Sequence, residues 1–257
     1  MQSGHATTAI APVLCAGVGA RYASGWAIRL ASIRLDPSDL GGAALGIVTP
    51  RSASSAALVD LLSGRLAPAY GNLAVLGHDM RTAAGRAAAA AEVGIASRAS
   101  RTVPGVRIRG IVERAARLAG QPGSDRHLLV AAILDRLALT PWAEVPARAA
   151  PDLIARKVRL AAACVHQPQL LVIDGLLDQL SALDLTVLAD VIRDLKRDTA
   201  VIALGRRADS LALVCDHVIA LADGIVIGPV RQPIQSRQVM PSDLAAPDRP
   251  SDVTAQR

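Results

Sequence analysis

The sequence has no phenylalanine, about 2% aromatic residues and only three cysteines in 257 positions. With so few aromatics to stack on bases, and no recognisable nucleic-acid motif, the net charge of +6 does not mark a nucleic-acid partner. That charge comes almost entirely from arginines spread along the chain, which reads as solvated basic faces. Cys15, Cys164 and Cys215 are too few and too widely spaced for a disulfide framework, and are expected as small core residues in a reducing compartment. Long hydrophobic runs are missing too. The uncharged stretch from Ala6 to Ala20 is shorter than the roughly 18 apolar residues of a spanning helix and contains a proline. The first residues lack the basic region of a secretory signal. These absences together predict a cytoplasmic location and no direct membrane insertion.

What is present is an aliphatic core: 51% of residues are apolar, so Ala, Leu, Val and Ile must fill the interior. The length suits one large α/β domain or two small ones. "PVLCAGVGARY" and "WAIRLASIRL" alternate at period two with Gly25 between them, which predicts two antiparallel strands. "ALGIV" (Ala44 to Val48) reads as a buried strand. "ALVDLLSG" (Ala57 to Gly64) reads as a helix with Leu58, Leu61 and Leu62 on one face and Gly64 closing it. A turn at Gly71 and Asn72 should lead into a short strand ending at Gly77, and "AAEVGIASR" is a further strand candidate.

From Ala99 the texture is helix-rich. "VRIRGIVERAARLAG" and "DRHLLVAAILDRLAL" are two helices, with Asp125 as the expected N-cap of the second. A helix from Ile154 to His166 precedes "PQLLVIDG", a continuous apolar run ending at Asp174 that suits a central parallel strand. Helix "LTVLADVIRDLK", strand "TAVIALG", helix "DSLALVC" and a hairpin turning at Asp223 and Gly224 complete the pattern. Alternating helices and buried strands predict a mostly parallel sheet. The expected organisation is a tail at 1–10, a core at 11–98 and 156–230, a helical subdomain at 99–155, and a disordered tail at 231–257.

The segment "VTPRSASSA" sits between the buried strand and the first helix. Strand, tight loop and helix is the layout that cradles phosphates, yet this loop has neither glycine nor lysine. One reading makes "SASSA" only a helix start, with Ser52 or Ser54 as N-cap. The other keeps weak anion binding at the helix N-terminus.

The order and spacing of these elements, from about Val13 to Gly228, resemble the nucleotide-binding domain of ABC transporters. "PRSASSAALVDLLSGRLAPAYGNLAVLGHD", "ACVHQPQLLVID" and "LALVCDHVIALADGIVI" carry the likeness. It implies an α/β, P-loop NTPase-like (RecA-like) core with an antiparallel β subdomain at its N-terminus and a helical insertion. It further implies ATP and magnesium as ligands, and a membrane permease subunit or a second ABC-type domain as partner, at the inner face of the membrane. On that pattern Ser52 and Ser54 take glycine positions, Ser55 the lysine, and Ala56 the hydroxyl residue that helps hold magnesium. Asp174 corresponds to the magnesium-organising aspartate, and Gly175 stands where the catalytic glutamate belongs.

Arg98 takes the place of the family's glutamine and Arg206 that of its switch histidine, each a permanent cation. Asp152 lies in the signature region, where phosphate should approach. Asp178 and Asp184 are out of register with the family's aspartate-bearing loop, and Tyr22 matches its adenine-stacking aromatic. Arg51, Arg98 and Arg206 are candidates to replace the missing lysine on phosphates. No catalytic residue carries over. The resemblance therefore implies a degenerate, non-hydrolysing scaffold or regulatory subunit. The alternatives are an active ATP-binding subunit with unusual phosphate contacts, and a soluble module binding another anion or partner.

Overall fold

Strands β1 (Val13–Tyr22) and β2 (Gly25–Leu35) pair antiparallel, as their alternation predicts. In this computed structural model residues 12–22, 25–35, 43–50, 52–99, 105–222 and 224–231 are described. The other edge of β1 carries β4 (Tyr70–Val75), which in turn pairs with β5 (His78–Asp79). The parallel part of the sheet is β3 (Ala44–Val48), β6 (Val93–Ser97), β7 (Leu170–Asp174), β8 (Ala200–Gly205) and β9 (His217–Ala222), closed by antiparallel β10 (Ile225–Arg231). A single pairing of Ile225 with Leu30 joins the two parts, giving the order β5, β4, β1, β2, β10, β9, β3, β8, β7, β6.

The central strands are apolar on both faces because each face meets its own core. Leu45, Ile47, Val172 and Ile202 pack with Leu58 and Leu61 of α1 (Ser52–Leu62) and with β1 and β2. Ile173, Val201 and Ala203 point the other way. They meet a helical layer of α3 (Ile108–Leu118), α4 (Gly123–Arg136), α5 (Asp152–Cys164) and α6 (Ala182–Leu195). Each fully buried Leu or Ile there contributes about 1.5–3 kcal/mol of apolar burial. All three cysteines are buried and unpaired.

Several local expectations are corrected. A helix, α2 (Ala83–Glu92), runs through "AAGRAAAAAE", where uniform alanine gives no apolar periodicity to read; Thr82 caps it by accepting from the Gly85 N–H at 2.9 Å. Asp125 is not the N-cap of α4: Pro122 holds that position and Asp125 lies in the first turn. Helix α5 begins at Asp152 and ends at Cys164, not Ile154 and His166. The "DSLALVC" helix shortens to α7 (Ala208–Leu211). The strand expected after the Gly71 turn already starts at Tyr70 and runs through it. The readings at Arg51, at Asp223, and in the tails at 1–10 and 232–257 fall outside the described residues. Among the described residues no helix is long and apolar enough to cross a membrane.

Candidate functional site

Strands β3, β8, β7 and β6 run parallel and end at one edge of the sheet, at Val48, Gly205, Asp174 and Ser97. Backbone bonds tie these ends together: Thr49 N–H donates to Gly205 O at 2.8 Å, Gly175 N–H to Leu204 O at 2.9 Å, and Arg98 N–H to Asp174 O at 2.9 Å. Over them opens a cleft of about 600 Å³, lined among others by Thr49, Ser55, Arg98, Asp174, Asp178 and Arg206. Residues just past the carboxyl ends of parallel strands are where ligands bind in open α/β sheets.

The start of α1 borders the cleft, and its two buried serines bond to the neighbouring strands. Ser54 Oγ donates to Ala27 O on β2 at 2.9 Å, so it ties helix to strand and is not the N-cap considered from the sequence. Ser55 Oγ donates to Asp174 Oδ1, and both serines are buried. Ser97 Oγ donates to the other oxygen, Asp174 Oδ2, at 2.8 Å. Ala56 is exposed on the cleft wall, and Ser52 is the first helical residue.

Asp178, also buried, accepts the Arg206 N–H on Oδ1 at 3.0 Å, linking the loop after β7 to the loop after β8. Behind it lies a residue that sequence reasoning missed. Arg156 of α5 is 1% exposed and donates to Leu176 O at 2.5 Å and to Asp178 O at 2.7 Å. Its Nε and Nη2 reach Asp152 Oδ2 at 2.9 and 2.5 Å. The available signal was the Asp152 to Arg156 spacing of one helical turn, which commonly marks a solvated pair. Arg156 holds the Asp152 carboxyl below its usual range, with the charges of Arg98 and Arg159 adding to the effect. Asp152 is thus already matched by cations. Asp184, the other out-of-register aspartate, lies in the first turn of α6, where Ser181 donates to it and caps the helix.

Tyr22 does not line this cleft. Its hydroxyl donates to Asp60 Oδ2 on α1 at 2.6 Å, and burial followed by that carboxylate pushes the phenol well above its ordinary range. A second hollow, of about 380 Å³, lies at the opposite ends of β7 and β8 among Ile133, Cys164, Pro168 and Leu195. The charged pair on its rim, Arg136 with Asp198 at 2.7 Å, is internally matched.

The architecture is that of P-loop NTPase-like α/β domains, and the comparisons agree. No family model matches the sequence. The methionine import ATP-binding protein MetN of Caulobacter vibrioides is 26% identical over 215 residues, covering 82% of this chain; the chain spans 64% of that relative's length. Among solved structures, cbiO1 of Clostridium perfringens, described as part of the ABC transporter complex cbiONQ, superposes with a TM-score of 0.74. It is 16% identical, over 85% of this chain and 88% of its own. An ATP binding subunit of an ABC transporter superposes at 0.69 and 14% identity, over 84% and 88%. The fold is therefore that of the ATP-binding domains of ABC transporters, and the sequence is similar to one such protein.

Proposed function

We propose that this domain takes the place of an ATP-binding subunit in a membrane transport complex without hydrolysing ATP, as a scaffold or regulator beside a permease or a second ABC-type domain. One observation carries the reading: both carboxylates lining the cleft are already engaged. Asp174 accepts from two serine hydroxyls, and Asp178 accepts from the Arg206 amide. The next residue after Asp174 is Gly175, in the left-handed conformation at φ 66°, so no side chain there takes a proton from an attacking water. Ser55 supplies a dipole where the family has a point charge. Losing a general base and a charged transition-state donor each raises the activation barrier by roughly 2–5 kcal/mol. Phosphate release by the purified chain, compared with its Asp174→Asn variant, tests the reading; equal background rates are expected, and turnover that needs Asp174 sinks it.

The active-subunit reading has its own support. Arg98 and Arg206 both line the cleft, and the relatives are described as ATP-binding proteins. In that case the two guanidiniums contact phosphate, and Arg206→Glu abolishes nucleotide affinity in an equilibrium titration. Arg51, the third candidate of this kind, stays part of that reading only.

A further inference from the structure

The fold family implies magnesium beside the nucleotide, and the residues present do not fit it. Magnesium demands near-octahedral oxygen ligands, usually one or two carboxylates together with substrate phosphates and water. Ala56 offers no oxygen from its side chain and Gly175 has none to offer. Among the described residues no group of three or more His, Cys, Asp or Glu is placed to share a cation. Asp174 already accepts a hydroxyl proton on each oxygen, from Ser55 on one side and Ser97 on the other.

We infer that the Ser55, Asp174 and Ser97 bridge is a structural strut standing where the family places its metal, so that Asp174 takes no divalent cation. The bridge joins the first turn of α1 to the ends of β7 and β6, which are already paired by backbone bonds, so the contact it adds is the one from helix to sheet. Hydrogen bonds to a carboxylate are stronger than those between neutral groups, and both bonds here are part-buried, so loss of one partner weakens the junction. The α1 start is thereby held in place by the chain's own side chains, with no need of a bound ligand.

A strut and an idle metal ligand answer differently to the same substitution. A carboxylate kept for an absent ion lacks a counter-charge, so its neutral isostere leaves folding stability unchanged or raises it. A strut carboxylate is already satisfied, so the isostere weakens two bonds at once.

Thermal unfolding of the full chain, in EDTA and in excess magnesium chloride, separates them. Asp174→Asn is expected to lower Tm by roughly 3–10 °C and Ser55→Ala by a similar amount, with the double variant losing less than the sum. Magnesium is expected to shift none of these. An Asp174→Asn variant melting at or above the parent chain overturns the inference, as does a magnesium-dependent rise in Tm that Asp174→Asn removes. Should Asp174→Asn not fold, Ser55→Ala and Ser97→Ala decide: unchanged Tm in both overturns the strut. The inference goes beyond the non-hydrolysing reading and fails separately from it. A magnesium shift without phosphate release overturns the strut alone, whereas phosphate release without a magnesium shift overturns the other alone.

Discussion

The guanidinium of Arg156 donates to the Asp178 carbonyl at 2.7 Å from a position that is 1% exposed. This contact ties the start of α5 to the loop after β7, and the Asp178 carboxylate in turn holds the Arg206 amide. Replacing Arg156 by Met strips the Leu176 and Asp178 carbonyls of their donor inside the protein. The expected loss is about 2–5 kcal/mol, read as a Tm lower by roughly 5–15 °C. Arg156→Lys should not restore it, because an ammonium lacks the planar fork that serves carbonyls and a carboxylate together.

Close packing of α5 on the sheet depends on Gly94. A Cβ there would stand 2.4 Å from Ala163 O and 2.8 Å from Pro168 Cγ, so Gly94→Ala must push helix from strand. We expect a loss of about 1–3 kcal/mol in chemical denaturation. Gly123→Ala, where nothing lies within 4 Å, is the control and should stay within about 0.5 kcal/mol.

Strong periodicity made the sheet and the large helices readable from sequence: β1 with β2, the apolar runs of β3, β7 and β8, and Leu58 with Leu61 on α1 all lie where the pattern places them. The misses have physical causes. Polyalanine in α2 carries no face, and Pro122 starts α4 through its fixed backbone where the polar Asp125 was expected. The cleft was legible as a set of residue types at family positions, but its wiring was not. That Ser55 and Asp174, 119 residues apart, share a proton donor and acceptor is a property of the folded chain. Arg156 was invisible for the opposite reason, since an arginine one turn from an aspartate reads as surface.

The cysteines offer a simple check on burial. Desolvation pushes Cys15 up to about 11 and Cys164 and Cys215 up to about 12, so all three stay thiols at mild alkaline pH. A disulfide reagent at pH 8 should label none in the native protein within minutes and all three in denaturant, as counted by absorbance.

Stability between pH 7 and 5 should fall with His166. Burial lowers its pKa in the folded chain, although a bond with the Val93 backbone works against this. The unfolded chain, with an imidazole near its ordinary value of about 6.5, then binds the proton first. Full stability is present above that value and is lost as pH falls below it. The depressed carboxylates Asp79, Glu144 and Asp152 act at lower pH, since theirs is stability present above the usual carboxylate range and lost only as pH falls through and below it. His166→Gln should flatten the Tm profile from pH 7 to 5 and leave the acid limb in place.

The proposed loss of hydrolysis in a retained fold is tested most directly by a single-turnover experiment. Purified chain in excess over ATP, with magnesium, is quenched over time and the remaining ATP is measured beside the Asp174→Asn variant. The expected result is ATP that stays intact at the buffer rate in both. ATP consumed faster than in buffer by the parent chain, and spared by Asp174→Asn, would mean that the domain hydrolyses ATP.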